Sequence, residues 1–228
     1  DLYYYYAYTL ESMGDTSANV RQAYSKAIAD GSTNPYVYVR LMESYKREHN
    51  TEAAAQLMQQ AKKSLPDNIN IRITEIDYCY WIGDTVKAKS LLNALPVNGI
   101  TDADAIVNVA NFFIKDKNYD KAVELLSKAN VLNPNNFVVL YNLGVCTYSL
   151  SEESFNLYNK MAVNSQNSEE TKSMKAKSDS YLVQSEGYFE QARSLEPKDL
   201  NLLYTLRAIY ARQNSPKYDE IDKAIKSI

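Results

Sequence analysis

The chain has 228 residues, with 25 Lys and Arg against 28 Asp and Glu, for a net charge of −3. It holds 20 Tyr but only one His, one Trp, two Cys, six Gly and six Pro. These counts exclude a four-ligand His/Cys zinc site, leave no glycine-rich phosphate loop, and carry no basic footprint for nucleic acid, so no cofactor and no nucleic-acid partner is expected. The scarcity of Gly and Pro suits a helical chain, because both interrupt helices.

The chain opens at Asp1 inside an aromatic run (Tyr3, Tyr4, Tyr5, Tyr6, Tyr8), with no initiator Met and no charged-then-apolar leader pattern. It reads as a piece of a longer protein. A second helical pattern follows Gly14, with Val20, Tyr24 and Ala27 on one face. The segment from Asn50 to Leu65 repeats that face with Ala54, Met58 and Ala61, and Pro66 ends it. The face returns at Ala88, Leu92 and Leu95, and again at Ala122, Leu126 and Ala129. Three columns therefore hold a step of 34 residues, and Pro66 and Pro134 lie two steps apart. A small side chain, a large one four later and a small one three later share one helix face. Small residues let helices approach, and the large one fills the groove between them.

The 34-residue period and these columns resemble the tetratricopeptide repeat (TPR) family over nearly the whole chain. The units fall at 1–34, 35–68, 69–102 and 103–136, with a fifth from 137 to 199 and a terminal cap at 200–228. Leu140, Tyr141, Asn142, Leu143 and Gly144 resemble the family's first-helix signature. There are departures: Glu75 stands where the family prefers Leu, Asn98-Gly99 replaces a terminal Pro, and unit one has an extra residue near Gly14. The resemblance implies an all-α fold, a right-handed superhelix of about six helical hairpins forming one array over 1–228.

Pro134 and Pro197 are 63 apart, which is one period plus 29 extra residues. The extra segment, near 151–180, is polar, holds five acids and four lysines, and contains no Gly or Pro. A disordered loop and an elongation of both helices are both compatible. Elongation is favoured, because Phe155, Tyr158 and Met161 continue a helical face that Met174, Ala176 and Tyr181 could oppose. The turn would lie at Asn164–Ser168, and Glu169 and Glu170 suit a helix start. Each helix would overhang by roughly 20 Å. Some bacterial cell-envelope TPR proteins resemble this arrangement, which points to the periplasm or cell envelope; the residues leave the compartment open, cytoplasm included. In the terminal cap, Pro216 opens a short polar helix.

No residue set favours catalysis. His49 reads as a solvated turn residue beside Glu48 and Asn50. The pairs Glu152/Glu153 and Glu169/Glu170 are adjacent on helices and do not converge. Asp116, Asn118 and Asp120 lack the Gly and the later Glu of a calcium loop. Cys79 and Cys146 read as buried free thiols. The apolar stretch Phe137–Leu150 is too short to span a bilayer and is broken by Asn142, so no membrane span is expected.

The TPR resemblance implies a concave face lined by first helices. The positions carried over include Tyr36, Glu43, Asp77, Tyr80, Trp81, Asn111, Tyr141, Tyr148 and Tyr204, with Tyr4, Tyr8, Lys46 and Arg212 beside them. This aromatic, amide-bearing face implies a protein or peptide partner. Asn111 and Asn142 match two amides of the family's chaperone-tail clamp, but Val107, Asn201 and Thr205 stand at its cationic places. The expected function is a non-enzymatic interaction scaffold. The alternative is an assembly module whose long hairpin docks another subunit or the missing N-terminal region. Oligomeric state and partner identity are not written in the chain.

Overall fold

The computed structural model describes residues 2–15, 18–165 and 168–228. Among them the regular structure is helical, with no strand. The helices are α1 (Leu2–Ser12), α2 (Ala18–Ala29), α3 (Pro35–Arg47), α4 (Thr51–Ser64), α5 (Ile69–Trp81), α6 (Thr85–Asn93), α7 (Ala103–Lys115), α8 (Tyr119–Leu132), α9 (Phe137–Ser165), α10 (Glu169–Leu195), α11 (Leu200–Gln213) and α12 (Lys217–Lys226). A short 3-10 turn at Val97–Gly99 follows α6. Neighbours in sequence pair into six helical hairpins. Three lie in a compact unit of residues 1–100 and three in a second unit of residues 101–228.

The 34-residue step reappears in the turns. Asn34, Asn68, Asp102 and Asn136 each stand just before the first helix of a hairpin, and each side chain accepts a backbone N–H of that helix's first turn. Asn50, Asp84 and Asn118 do the same for the second helices α4, α6 and α8. Such a cap satisfies a donor that the helix cannot, worth about 1 kcal/mol each. The residue before each of these second caps has left-handed backbone: His49 at φ 54°, Gly83 at φ 85° and Lys117 at φ 58°. A left-handed residue followed by a capping Asn or Asp is therefore the common reversal inside three hairpins. His49 is exposed there, as a solvated turn residue would be.

The columns read from the sequence are interior positions. Val20, Ala54, Ala88 and Ala122 are all buried, as are Ala27, Ala61, Leu95 and Ala129, and Tyr24, Met58, Leu92 and Leu126. In the first unit Tyr24 is fully buried, and its hydroxyl reaches Glu11 Oε2 at 2.8 Å. Burial and that carboxylate push its phenol far up. In the second unit Leu140, Phe189, Leu203, Leu206 and Tyr210 form one core cluster. Gly144 faces Phe189 there: a Cβ at this position would lie 2.9 Å from the ring, so only Gly allows this approach.

The described residues of the segment 151–180 are helical on both sides of its turn. α9 has 29 residues and α10 has 27, and together they make one long hairpin. Gln166 and Asn167, within the turn expected at Asn164–Ser168, lie outside the described residues. Ser168 caps α10 by accepting the Thr171 N–H at 3.1 Å. The seam between α9 and α10 includes small polar side chains, since Thr147, Ser151, Thr171, Ser178 and Ser185 are all fully buried, alongside the buried Leu150, Leu182 and Phe189. Ser151 Oγ donates to the Ser178 carbonyl at 2.8 Å, and Ser178 Oγ donates to the Ser151 carbonyl at 3.0 Å. Ser185 Oγ donates to the Gly144 carbonyl at 2.9 Å. Each buried hydroxyl thus has a partner, and the helices lie close enough for side chains to reach the facing backbone.

Two outcomes follow. A non-Gly residue in left-handed backbone is strained, so His49→Gly and Lys117→Gly should each stabilise the fold by about 0.5–1 kcal/mol, read as higher urea midpoints. Burial pushes the Cys146 thiol from 9.0 up to about 12, and burial also raises Cys79. The folded state thus holds a proton that the unfolded thiol loses. Stability tied to Cys146 is intact below pH 9 and falls as pH rises toward 12. The stability difference between the native chain and Cys146→Ala in urea melts should fall by about 1–2 kcal/mol between pH 8 and pH 10.5.

Candidate functional site

In the first unit the carried-over residues lie on α3 and α5. Tyr36 sits one residue past Pro35, its N–H held by the Asn34 cap at 3.0 Å, and its ring is 43% exposed. Arg40 and Glu43 follow at the spacing of one helix face and pair at 3.1 Å. Arg40 also lies 4.0 Å from Glu11 of α1. On α5, Asp77 forms an ion pair with Lys46, which ties α3 to α5. Trp81 is half-buried, its ring 6.2 Å from that of Tyr78, and both rest on the core cluster of this unit. Tyr80 is 8% exposed and belongs to the interior. The accessible face is therefore Tyr36, Glu43, Asp77 and the edge of Trp81, with Arg40 and Lys46 between them. Tyr4 and Tyr8 of α1 stack at 6.2 Å, and Tyr8 is exposed.

In the second unit the residues lie on α7, α9 and α11. Asn142 Nδ2 donates to Asn111 Oδ1 at 3.2 Å, joining α9 to α7. Tyr141 packs between Phe137, at 5.7 Å, and Phe189, at 5.6 Å edge-on. Burial, and then Asp199, raises its phenol. Tyr148 is also half-buried; burial and Glu152 raise its phenol, against Arg212. Both phenols stay protonated at neutral pH and can donate hydrogen bonds. Tyr204 is 48% exposed, with the Arg207 guanidinium 5.1 Å from its ring.

Arg212, at the end of α11, forms an ion pair with Glu152. It donates to Ser178 Oγ at 2.8 Å and lies 4.4 Å over the Phe155 ring. One guanidinium thereby fastens α11 to the root of the long hairpin. Glu152 and Phe155 were not among the carried-over residues. Their signal is the run Tyr141, Val145, Tyr148, Glu152, Phe155, spaced by four and three along one face of α9.

No protein-family profile matches the chain, and no curated relative matches it. Solved structures do. Human IFIT1, determined as a dimer with m7Gppp-AAAA, is 17% identical with a TM-score of 0.66, over 97% of this chain and 49% of that one. YrrB, described as a TPR protein with an unusual peptide-binding site, is 17% identical with a TM-score of 0.58, over 93% of each chain. Yeast Tom70 is 16% identical with a TM-score of 0.61, over 99% of this chain and 42% of that one. The fold is a TPR α-solenoid. The chain spans about half the length of human IFIT1. At these identities the likeness speaks to fold alone. Within the TPR fold, the residues above are first-helix residues of their hairpins. Among the described residues, no helix is long and apolar enough to cross a membrane, and no three His, Cys, Asp or Glu side chains gather as a metal site.

Proposed function

We propose that the chain is a non-catalytic scaffold that binds a peptide or protein segment on its first-helix faces. The observation that carries this is the pairing of exposed rings with fixed polar groups. Tyr36 and Tyr204 stand about half exposed, while Trp81, Tyr141 and Tyr148 are held in place by packing on their cores. Rigid aromatic rings offer large contact area at small entropic cost, and their polar edges select orientation. The Asn111–Asn142 pair and the ion-paired Glu43 and Asp77 supply amide and acid edges beside those rings. The same faces hold no nucleophile with an adjacent base, and His49 lies in a turn at left-handed backbone. The net charge of −3 favours a protein partner over a polyphosphate one.

Peptides selected from a random library against the whole chain test this. Tyr36→Ala with Tyr204→Ala should weaken the selected peptides about tenfold or more, with unchanged helical circular dichroism. A selection that enriches nothing, peptides indifferent to both substitutions, or tighter binding of m7Gppp-AAAA than of any peptide would each overturn the reading.

A second reading rests on the long hairpin. Its outer surface exposes Leu157, Val163 and Val183. In this reading the hairpin docks another subunit or a further segment of the same protein. Replacing 152–180 by a short turn should then lower the mass seen by light scattering or abolish partner capture; no change in either would sink it.

A further inference from the structure

Glu75 breaks a column. The residue one period earlier is Leu41, and those one and two periods later are Val109 and Leu143, all buried and apolar. Glu75 is buried as well, 6% exposed. Its Oε1 receives the Lys62 ammonium at 2.6 Å, and the Lys87 ammonium lies 3.5 Å from the same atom. Both lysines are half exposed. A carboxylate in an apolar column is unfavourable unless paired, and here it is paired twice. One acid thus holds two ammonium groups. Arg72, nearby, is balanced by Asp67 at 2.8 Å.

Glu75 also lines an open cavity of about 170 Å³, whose apolar wall is Pro66, Ile71, Ile76, Leu91 and Leu95. The end of α6 and the residues just after it contribute Leu91, Ala94 and Leu95 to its wall, and that helix has nine residues where α4 has 14. Glu75 and Asp77 are two residues apart on α5, so the cavity opens away from the first-helix face described above. It is a separate site.

We propose that this cavity binds a small amphipathic carboxylate. A benzene-sized apolar group would fill it, since an apolar cavity near 150 Å³ admits benzene. The ligand carboxylate would sit at Lys62, which lines the cavity. Its ammonium has three donors, and Glu75 takes one. Glu75 is then a positioning residue that holds this ammonium at the cavity wall, and a lining with two cations, Lys62 and Arg72, against one acid selects an anion over a cation. This chemistry has two sources, a free arylalkyl acid or the terminal Phe or Leu of a peptide.

Methyl-labelled protein titrated with 3-phenylpropionate tests this by nuclear magnetic resonance. Saturable shifts are expected at the Ile71, Ile76, Leu91 and Leu95 methyls. The matched amine, 3-phenylpropylammonium, should bind about tenfold more weakly or worse. Lys62→Ala should weaken the acid by about tenfold, and Glu75 then keeps the Lys87 ammonium, so no buried carboxylate is left unpaired. Glu75→Leu restores the residue type of Leu41 and Leu143, and should keep helicity but erase the shifts. A short peptide ending in free Phe, compared with its amide, names the source. Tighter binding of the free-ended peptide than of 3-phenylpropionate assigns the site to a chain end, and weaker binding assigns it to a free acid. Still methyls with both acid and peptide, equal affinity for the amine, or indifference to Lys62→Ala would overturn the proposal.

Discussion

The structure depends on how the chain reverses between helices. At 49–50, 83–84 and 117–118 a left-handed residue is followed by Asn or Asp, whose side chain caps the next helix. The left-handed residue turns the backbone, and the cap satisfies a donor exposed by the new helix start. This reversal sets where the second helix begins, and therefore which of its residues face the first. With the start fixed, Ala54, Ala88 and Ala122 meet the partner helix at full burial. A slip of one residue would rotate each of these small side chains by about 100° and place a bulkier or polar one at the contact. The buried columns follow from the turns as much as from hydrophobicity.

Much of the fold was legible because the constraint repeats. A lone alanine says little, but alanines one period apart at 54, 88 and 122 mark a face that neighbouring hairpins must share. The capping Asn and Asp residues keep the same step, although their role showed only in the structure. The long hairpin was less legible. Its seam mixes buried serine and threonine with residues such as Leu150 and Leu182, so its periodicity looks partly like that of a polar loop.

The candidate faces were legible in outline only. Period fixes a helix face to within about one residue, and Tyr80 and Trp81 straddle that boundary: the first is interior and the second half-exposed. The ion pair of Lys46 with Asp77 spans 31 residues, and that of Arg212 with Glu152 spans 60. Contacts of that span leave no local trace, because each partner alone looks like a solvated charge. The Glu75 departure was plain in the chain, but the cavity beside it was not. Its wall includes the end of α6, and helix ends are where sequence patterns are weakest.

The serine seam of α9 and α10 carries one more consequence. An arm that extends beyond its neighbours opens more readily than a buried core, because less apolar surface resists separation. Most arms would then reveal hydrocarbon and become adhesive. This one would reveal hydroxyl groups and carbonyls along Ser151, Ser178 and Ser185, which water satisfies at once, beside the apolar Leu150 and Leu182. Opening there therefore exposes less hydrocarbon than a wholly apolar seam would, and the arm is correspondingly less adhesive.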